Sequence, residues 1–245
     1  MKLEIIGFDL ESCLAAQVAG ATRIELCDSP ADGGTTPSYG FIQAARKKLS
    51  IELYVMIRPR GGDFVYSDEE FEIMKADIAV CKQAACDGIV VGLLHTDGTI
   101  DKKRTSQLVN YAYPLGITFH RAFDRTKDAR QALEDVIETG CERILTSGQQ
   151  LKASEGIPLI KELVEAADDR VIIMPGSGVN ATNILEIAQL TGASEFHSSA
   201  SVYKQGHMEF INPAMAEDMS HITVDSDAVK KMVTLLKNIQ SPFQQ

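Results

Sequence analysis

No stretch of the sequence reaches the roughly 18 consecutive apolar residues that suggest a membrane-spanning helix. A membrane partner is therefore not expected. The amino-terminal "MKLEIIGFDLES" turns acidic within a few residues and lacks the pattern of a signal peptide. Basic charge is also scarce: 24 Lys and Arg face 34 Asp and Glu, for a net charge of −10. Phosphate backbones attract broad basic surfaces, so this balance argues against a nucleic-acid partner. Any anion site must be a local pocket of positive charge in an acidic protein. Cysteine is sparse and scattered: Cys13, Cys27, Cys81, Cys86 and Cys141 are odd in number and form no Cys-x-x-Cys pair. That pattern fits a reduced, cytoplasmic protein rather than a disulfide framework. No Gly-x-Gly-x-x-Gly follows the first apolar run, which counts against a dinucleotide-binding sheet. No Pro- or Ser-rich linker divides the chain.

What the sequence does contain is regular alternation. Short β-rich runs at 2–8, 22–27, 51–57, 88–93, 116–119, 142–146, 171–174 and 195–197 alternate with amphipathic helical patterns. The helices are predicted at 12–19, 38–48, 68–85, 101–113, 127–138, 154–167, 181–189 and 226–238. In the third of these, Phe71, Met74, Ile78 and Cys81 recur at helical spacing. Ser67 and Glu70 form a capping box at its start. Eight strand–helix pairs in 245 residues predict an α/β fold, a single-domain (β/α)8 TIM barrel over residues 1–245. An open doubly wound sheet is the competing arrangement. A long irregular segment, 198–220, precedes the last helix; such segments serve active sites or subunit interfaces.

Strand periodicity then sorts the side chains by face. In "TRIELC", Ile24 and Leu26 point one way and Arg23, Glu25 and Cys27 the other. The helices need the apolar face, so the charged face is predicted to point into the barrel. The same logic sends Glu4 and Ile6 inward, with Met56, Arg58 and Arg60, Thr118 and His120, and Glu195 and His197. These polar positions are predicted to gather at the carboxyl ends of the strands, the catalytic face of such barrels.

The predicted mouth offers an anion site. Arg58 and Arg60 stand in "RPRGGDF", and a guanidinium fork suits carboxylate or phosphate; the plainer alternative is a surface pairing with Glu69 or Glu70. Ser147, the loop Gly176-Ser177-Gly178, His197 and Ser199 complete the candidate anion binders, since barrels commonly hold phosphate after their last two strands. His120 is the leading acid/base candidate, because its free pKa lies near working pH, and Asp124 is placed to orient it. Glu25 is the second, although it and Glu4 are equally suited to pair with Arg23 or Arg143. His95, His207 and His221 are assigned no role. No lysine stands clearly at a strand end, which weakens a Schiff-base mechanism. Cys27 is the one cysteine predicted at the mouth. With Met56 or Met174 it would offer sulfur to a soft metal such as copper(I), although methionines usually belong to the core.

Taken together, "RIELCD", "GGTTPSYG", "MIRPRGGDFVYSDEE", "DGIVVGLLHTDGTID", "TFHRAFD", "RILTSG", "IMPGSGV" and "EFHSSA" resemble the copper homeostasis protein CutC family. The resemblance spans roughly the first 200 residues and loosens beyond Val202. It implies a cytoplasmic TIM barrel, a homo-oligomer, and a role in copper handling. In some members Cu(I) is assigned to two cysteines near the mouth. One matches Cys27, and the other falls at Ile6, which removes half of that thiolate pair. Three functions remain in view: a copper-homeostasis protein binding Cu(I) through Cys27, a lyase-, aldolase- or isomerase-like enzyme acting on a small anionic metabolite, phosphorylated ones included, and a scaffold whose mouth binds a regulatory ligand without turnover.

Overall fold

Every predicted strand forms within two residues of its expected bounds, and every predicted helix within three. In the computed structural model, which describes residues 1–215 and 217–239, the chain runs β1 (Lys2–Gly7), α1 (Leu10–Val18), β2 (Arg23–Leu26), α2 (Tyr39–Lys48), β3 (Glu52–Met56) and α3 (Asp68–Gln83). It continues through β4 (Gly88–Val91), α4 (Lys102–Ala112), β5 (Gly116–Phe119), α5 (Ala129–Thr139), β6 (Arg143–Thr146) and α6 (Ile157–Ala167). The last barrel elements are β7 (Ile172–Pro175), α7 (Ile184–Thr191) and β8 (Glu195–Ser198). Residues 216 and 240–245, which the predicted domain includes, lie outside the described residues.

The eight barrel strands form a parallel sheet in the order β7-β6-β5-β4-β3-β2-β1-β8. β7 and β8 lie side by side without a ladder, so the TIM barrel is nearly closed. Local signals start the helices where expected. The Ser67 side chain accepts from the Glu70 N–H while Glu70 reaches back to the Ser67 N–H, which completes the capping box of α3. Asp9 and Asp128 cap α1 and α5 in the same sense. No described helix is long and apolar enough to cross a membrane.

The apolar bulk lies between strands and helices, where Ile24, Leu26, Leu53, Val55, Ile89 and Val91 are fully buried. Burial of such side chains contributes about 1.5–3 kcal/mol each. The barrel interior is different. It holds a small apolar cluster of Cys27, Tyr54, Met56 and Val90 beside the buried charges of Glu4, Arg23, Glu25, Arg143 and Glu195.

Two sequence expectations need correction. The polar interior residues do not all gather at the carboxyl ends. Arg23, Arg143 and Glu195 are the first residues of their strands, so they lie at the opposite end and form a floor. Alternation assigns a residue to a face; its height depends on where the strand begins, which the pattern leaves open. The second correction concerns 198–220, which is not wholly irregular. β9 (Ser201–Lys204) pairs antiparallel with β10 (His221–Val224), directly before α8 (Ser226–Lys237). β9 is largely exposed, so the buried-face alternation that reveals a strand is absent.

Candidate active site at the barrel mouth

The floor is built first, because it sets what stands above it. Arg23 is fully buried and donates to Glu195 (2.9 Å), Glu52 (2.9 Å) and Glu4 (3.3 Å). Arg143 donates to Glu195 (2.7 Å), Thr118 (3.1 Å) and Glu142 (3.0 Å). The Tyr54 ring carries both guanidinium groups, at 4.8 and 5.3 Å from its centroid. Gly88 and Gly116 admit that ring: a Cβ on either would come within 2.3 Å of Tyr54. The two arginines have their charge opposed by carboxylates at every turn, which a buried charge requires.

Above the floor stands a relay. Glu4 lies between Arg23 and His197, with its Oε1 2.7 Å from His197 Nδ1. The other ring nitrogen, Nε2, is 3.9 Å from Glu25 Oε2. Burial works against charge on all three, and their neighbours decide the outcome. For Glu4, the hydrogen bond and charge of His197, with Arg23 and Arg143, outweigh burial and hold the carboxyl below its usual range. For His197, Glu25 and Glu4 outweigh burial and raise the imidazole. For Glu25, burial wins: the carboxyl is pushed up to about 7, pulled back by His197 and raised further by Glu4. Glu25 Oε1 is buried with no hydrogen-bond partner.

The relay opens into a cavity of about 330 Å³. Glu25, His197, Arg58, His120, Phe64 and Arg121 line it, with Ile6, Met56 and Arg125 among the remaining walls. Arg58 is buried and donates to the carbonyls of Asp32 (2.6 Å), Gly34 (2.8 Å) and Gly62 (2.8 Å), and its guanidinium lies 5.0 Å from the Phe64 centroid. These partners fix its geometry without cancelling its charge. Its Nε has no partner. His120 accepts the Ala122 N–H on Nδ1 (3.1 Å), and its Nε2 is also buried without a partner. Burial, then the charge of Arg58, pushes the His120 imidazole down to about 3. Gly92 makes room for the ring, since a Cβ there would lie 2.2 Å from it.

The predicted residues thus separate. Glu25, Arg58, His120 and His197 share the cavity. Arg60 turns away, pairing with Glu70 (2.5 Å) and Asp63 (3.0 Å), four residues past the end of β3, where no strand period fixes its direction. Asp124 does not touch His120. It accepts from Thr146 (2.6 Å), the Ser147 N–H (3.0 Å), the Gln149 N–H (3.1 Å) and Arg121 (2.8 Å), tying the turn after β5 to the loop after β6. Ser147 belongs to that clasp and also receives Arg121 (2.7 Å). Gly176 is small because Leu145 and His197 fill the space beside it. Ser177 adopts φ +74° and donates to the Leu151 carbonyl (2.8 Å), and Lys152 covers Gly178. Ser199 bonds Ser201 (3.2 Å), toward the β9–β10 pair. Arg121, Arg125 and Phe64 line the cavity without having been singled out as binders. "TFHRAFDR" carried two of them, but a turn has no period from which to read direction.

The sequence profile of the CutC family matches residues 1–202. The chain belongs to the CutC family. It is 52% identical over 198 residues to a CutC family protein of Chromobacterium violaceum, covering 81% of this chain and 80% of that one. A human relative named a copper homeostasis protein cutC homolog is 43% identical over 244 residues, covering 97% of this chain and 89% of that one. The crystal structure of a CutC copper homeostasis protein from Streptococcus agalactiae superposes with a TM-score of 0.78 at 38% identity, over 81% of this chain and 98% of that one.

The copper association of this family can be tested on the donors present. Cu(I) favours two or more sulfur ligands. Cys27 is buried, and burial, then Glu25 and Glu4, push its thiol well above the ordinary range. Its Sγ lies 3.7 Å from Glu25 Oε2, so the carboxylate opposes a thiolate there. Ile6, paired in register with Glu25, supplies no sulfur. Met56 is close, since a Cβ on Gly34 would lie 3.0 Å from the Cys27 sulfur and 3.6 Å from the Met56 methyl. Cys27 and Met56 thus offer Cu(I) one thiol that its neighbours keep protonated and one thioether, the fewest sulfur donors that the ion favours. Glu4, Glu25 and His197 bring donor atoms within 4.8 Å of one another. Glu4, however, spends one oxygen on His197 Nδ1 and the other on Arg23.

Proposed function

We propose that this CutC family chain is an enzyme of lyase or isomerase type, acting on a small anionic metabolite held at the barrel mouth. One observation carries the reading. Among the described residues, five buried side-chain polar atoms lack a partner, and three of them belong to cavity-lining residues: Glu25, Arg58 and His120. An unpartnered buried polar atom costs about 1–3 kcal/mol, so three around one cavity are best explained by a ligand that completes them. The positive charge of Arg58 supports an anion, and a carboxyl raised to about 7 supports proton transfer near neutral pH.

The direct test is calorimetric titration with inorganic phosphate, pyruvate and Cu(I). Anion binding that falls at least about tenfold in Arg58→Gln supports the proposal. Stoichiometric Cu(I) binding lost in Cys27→Ser, without anion binding, would replace it with the copper reading, which rests on the family's name and the nearness of Cys27 to Met56.

The cytoplasm is the compartment we assign, since all five cysteines are free and buried. We assign a homo-oligomer as well. The segment between β9 and β10 exposes Met208, Phe210, Ile211, Met215 and Met219, apolar side chains suited to contact with a second copy. Phe210→Asp with Ile211→Asp should yield a monomer by light scattering; an unchanged mass would remove this face from the assembly.

A further inference from the structure

We infer that the substrate is a small carbonyl compound bearing an anionic group, and that the cavity enolises it, with Glu25 as the base and His120 as the donor that holds the enolate oxygen. The inference rests on the enzyme reading above and names its substrate class.

The tautomer of His120 is the starting point. Its Nδ1 accepts the Ala122 N–H, so the proton of the neutral ring stands on Nε2. That Nε2–H has no protein partner. Burial and the nearby charge of Arg58 keep the ring neutral across the physiological range. Such a ring is a poor general base but a fixed hydrogen-bond donor, suited to a carbonyl oxygen that gains negative charge. This reverses the acid/base role expected of His120.

Glu25 supplies the complementary part. It stands on β2, three strands from the β5 end that carries His120, so the two approach the cavity from different walls. Its Oε1 is unpartnered, and its other oxygen is near His197 and Cys27. A carboxylate that titrates near neutrality can accept a carbon-bound proton and return it. Arg58 contributes a fixed positive charge that forms no ion pair among the described residues, with Asp32 a further acidic residue on the cavity wall. Arg125, exposed at the rim, has no ion-pair partner among the described residues, and suits the terminal carboxylate or phosphate of a substrate. A cavity of about 330 Å³ lies at the small end of ligand pockets, which suits a compact metabolite.

The step balances without a redox partner. Glu25 takes the proton from the carbon beside the carbonyl, and the C–H electron pair becomes the new C=C bond. The carbonyl π pair moves to oxygen, where the His120 Nε2–H and Arg58 stabilise it. Return of the proton to the same carbon gives exchange; in an α-hydroxy carbonyl compound, transfer of the hydroxyl proton to the enolate oxygen and delivery of the carbon-bound proton to the former carbonyl carbon give isomerisation.

The experiment follows solvent deuterium entering pyruvate and dihydroxyacetone phosphate by NMR, with the full-length protein in D2O. Binding of each is measured in parallel by calorimetry. The expected result is protein-dependent exchange of the α-protons in at least one of them. Glu25→Gln should slow it by about 100-fold or more, with binding retained. His120→Asn and His120→Phe should lower the turnover rate about 100-fold with little change in KM, since the donor acts on the enolate. Oxalate, a planar enolate mimic, should bind wild type more tightly than pyruvate and lose that preference in both His120 variants. Arg58-dependent binding without exchange, or exchange that survives Glu25→Gln, overturns enolisation and leaves the anion-site reading standing. Absence of binding by any of these anions overturns both.

Discussion

The floor and the mouth of this barrel use the same kinds of residue to opposite ends. In the floor, Arg23 and Arg143 meet Glu4, Glu52, Glu142 and Glu195, and the Tyr54 ring lies against both guanidiniums. At the mouth, Arg58 meets only carbonyls, and Glu25 and His120 each keep a buried atom unpartnered. A buried charge that is fully paired is finished as chemistry; its work is to hold strands together. A buried charge held by neutral partners keeps its field for a ligand. The difference lies in the partners, since both ends draw on Arg and Glu.

That contrast is open to measurement, and the largest effect should come from the floor. Arg23→Met leaves Glu4 and Glu195 short of a partner and should cost about 3–5 kcal/mol in urea denaturation. Arg58→Gln should cost at most about 2 kcal/mol, through its carbonyl bonds, while removing anion binding. Equal destabilisation by the two would erase the distinction between them.

Of intermediate size is the pH response of Glu25. An ordinary Glu titrates at 4.5 and Glu25 at about 7. The folded state therefore holds an extra proton between these values. The resulting stability is complete below about 4.5 and lost as pH rises through about 7. Glu25→Gln cannot ionise, so its Tm relative to wild type should rise by ~5 °C between pH 5 and pH 8. Glu195 lies below its usual range because Arg143 and Arg23 outweigh its burial, so Glu195→Gln should instead lose stability at pH 8. The same sign in both variants would contradict the assignment. The smallest effect belongs to Arg60→Gln, whose half-exposed pair with Glu70 should be worth less than about 1 kcal/mol, with anion affinity unchanged.

How far the site could be read in advance follows from the same geometry. Glu25, His197 and His120 lay in strands or at a strand end, where a period of two separates inward from outward. Arg58 kept that phase and reached the cavity; Arg60, beyond Pro59, did not. Asp124 was expected to orient His120, and Ser147 to hold an anion, but the two bond each other, and a turn carries no period to reveal that. Arg121 and Arg125 went unassigned for the same reason.

The sequence by itself determined the eight strand–helix units, their capping signals, the inward faces of the strands and membership of the CutC family, because each is encoded over a few neighbouring residues. Only the tertiary structure decided which charges are spent on one another. Arg23 meets Glu195 across 172 residues of chain, and His197 meets Glu4 across 193. Pairing at such separations depends on barrel closure and on the height of each residue along its strand. The same closure raises Glu25 and lowers His120, since both shifts come first from burial.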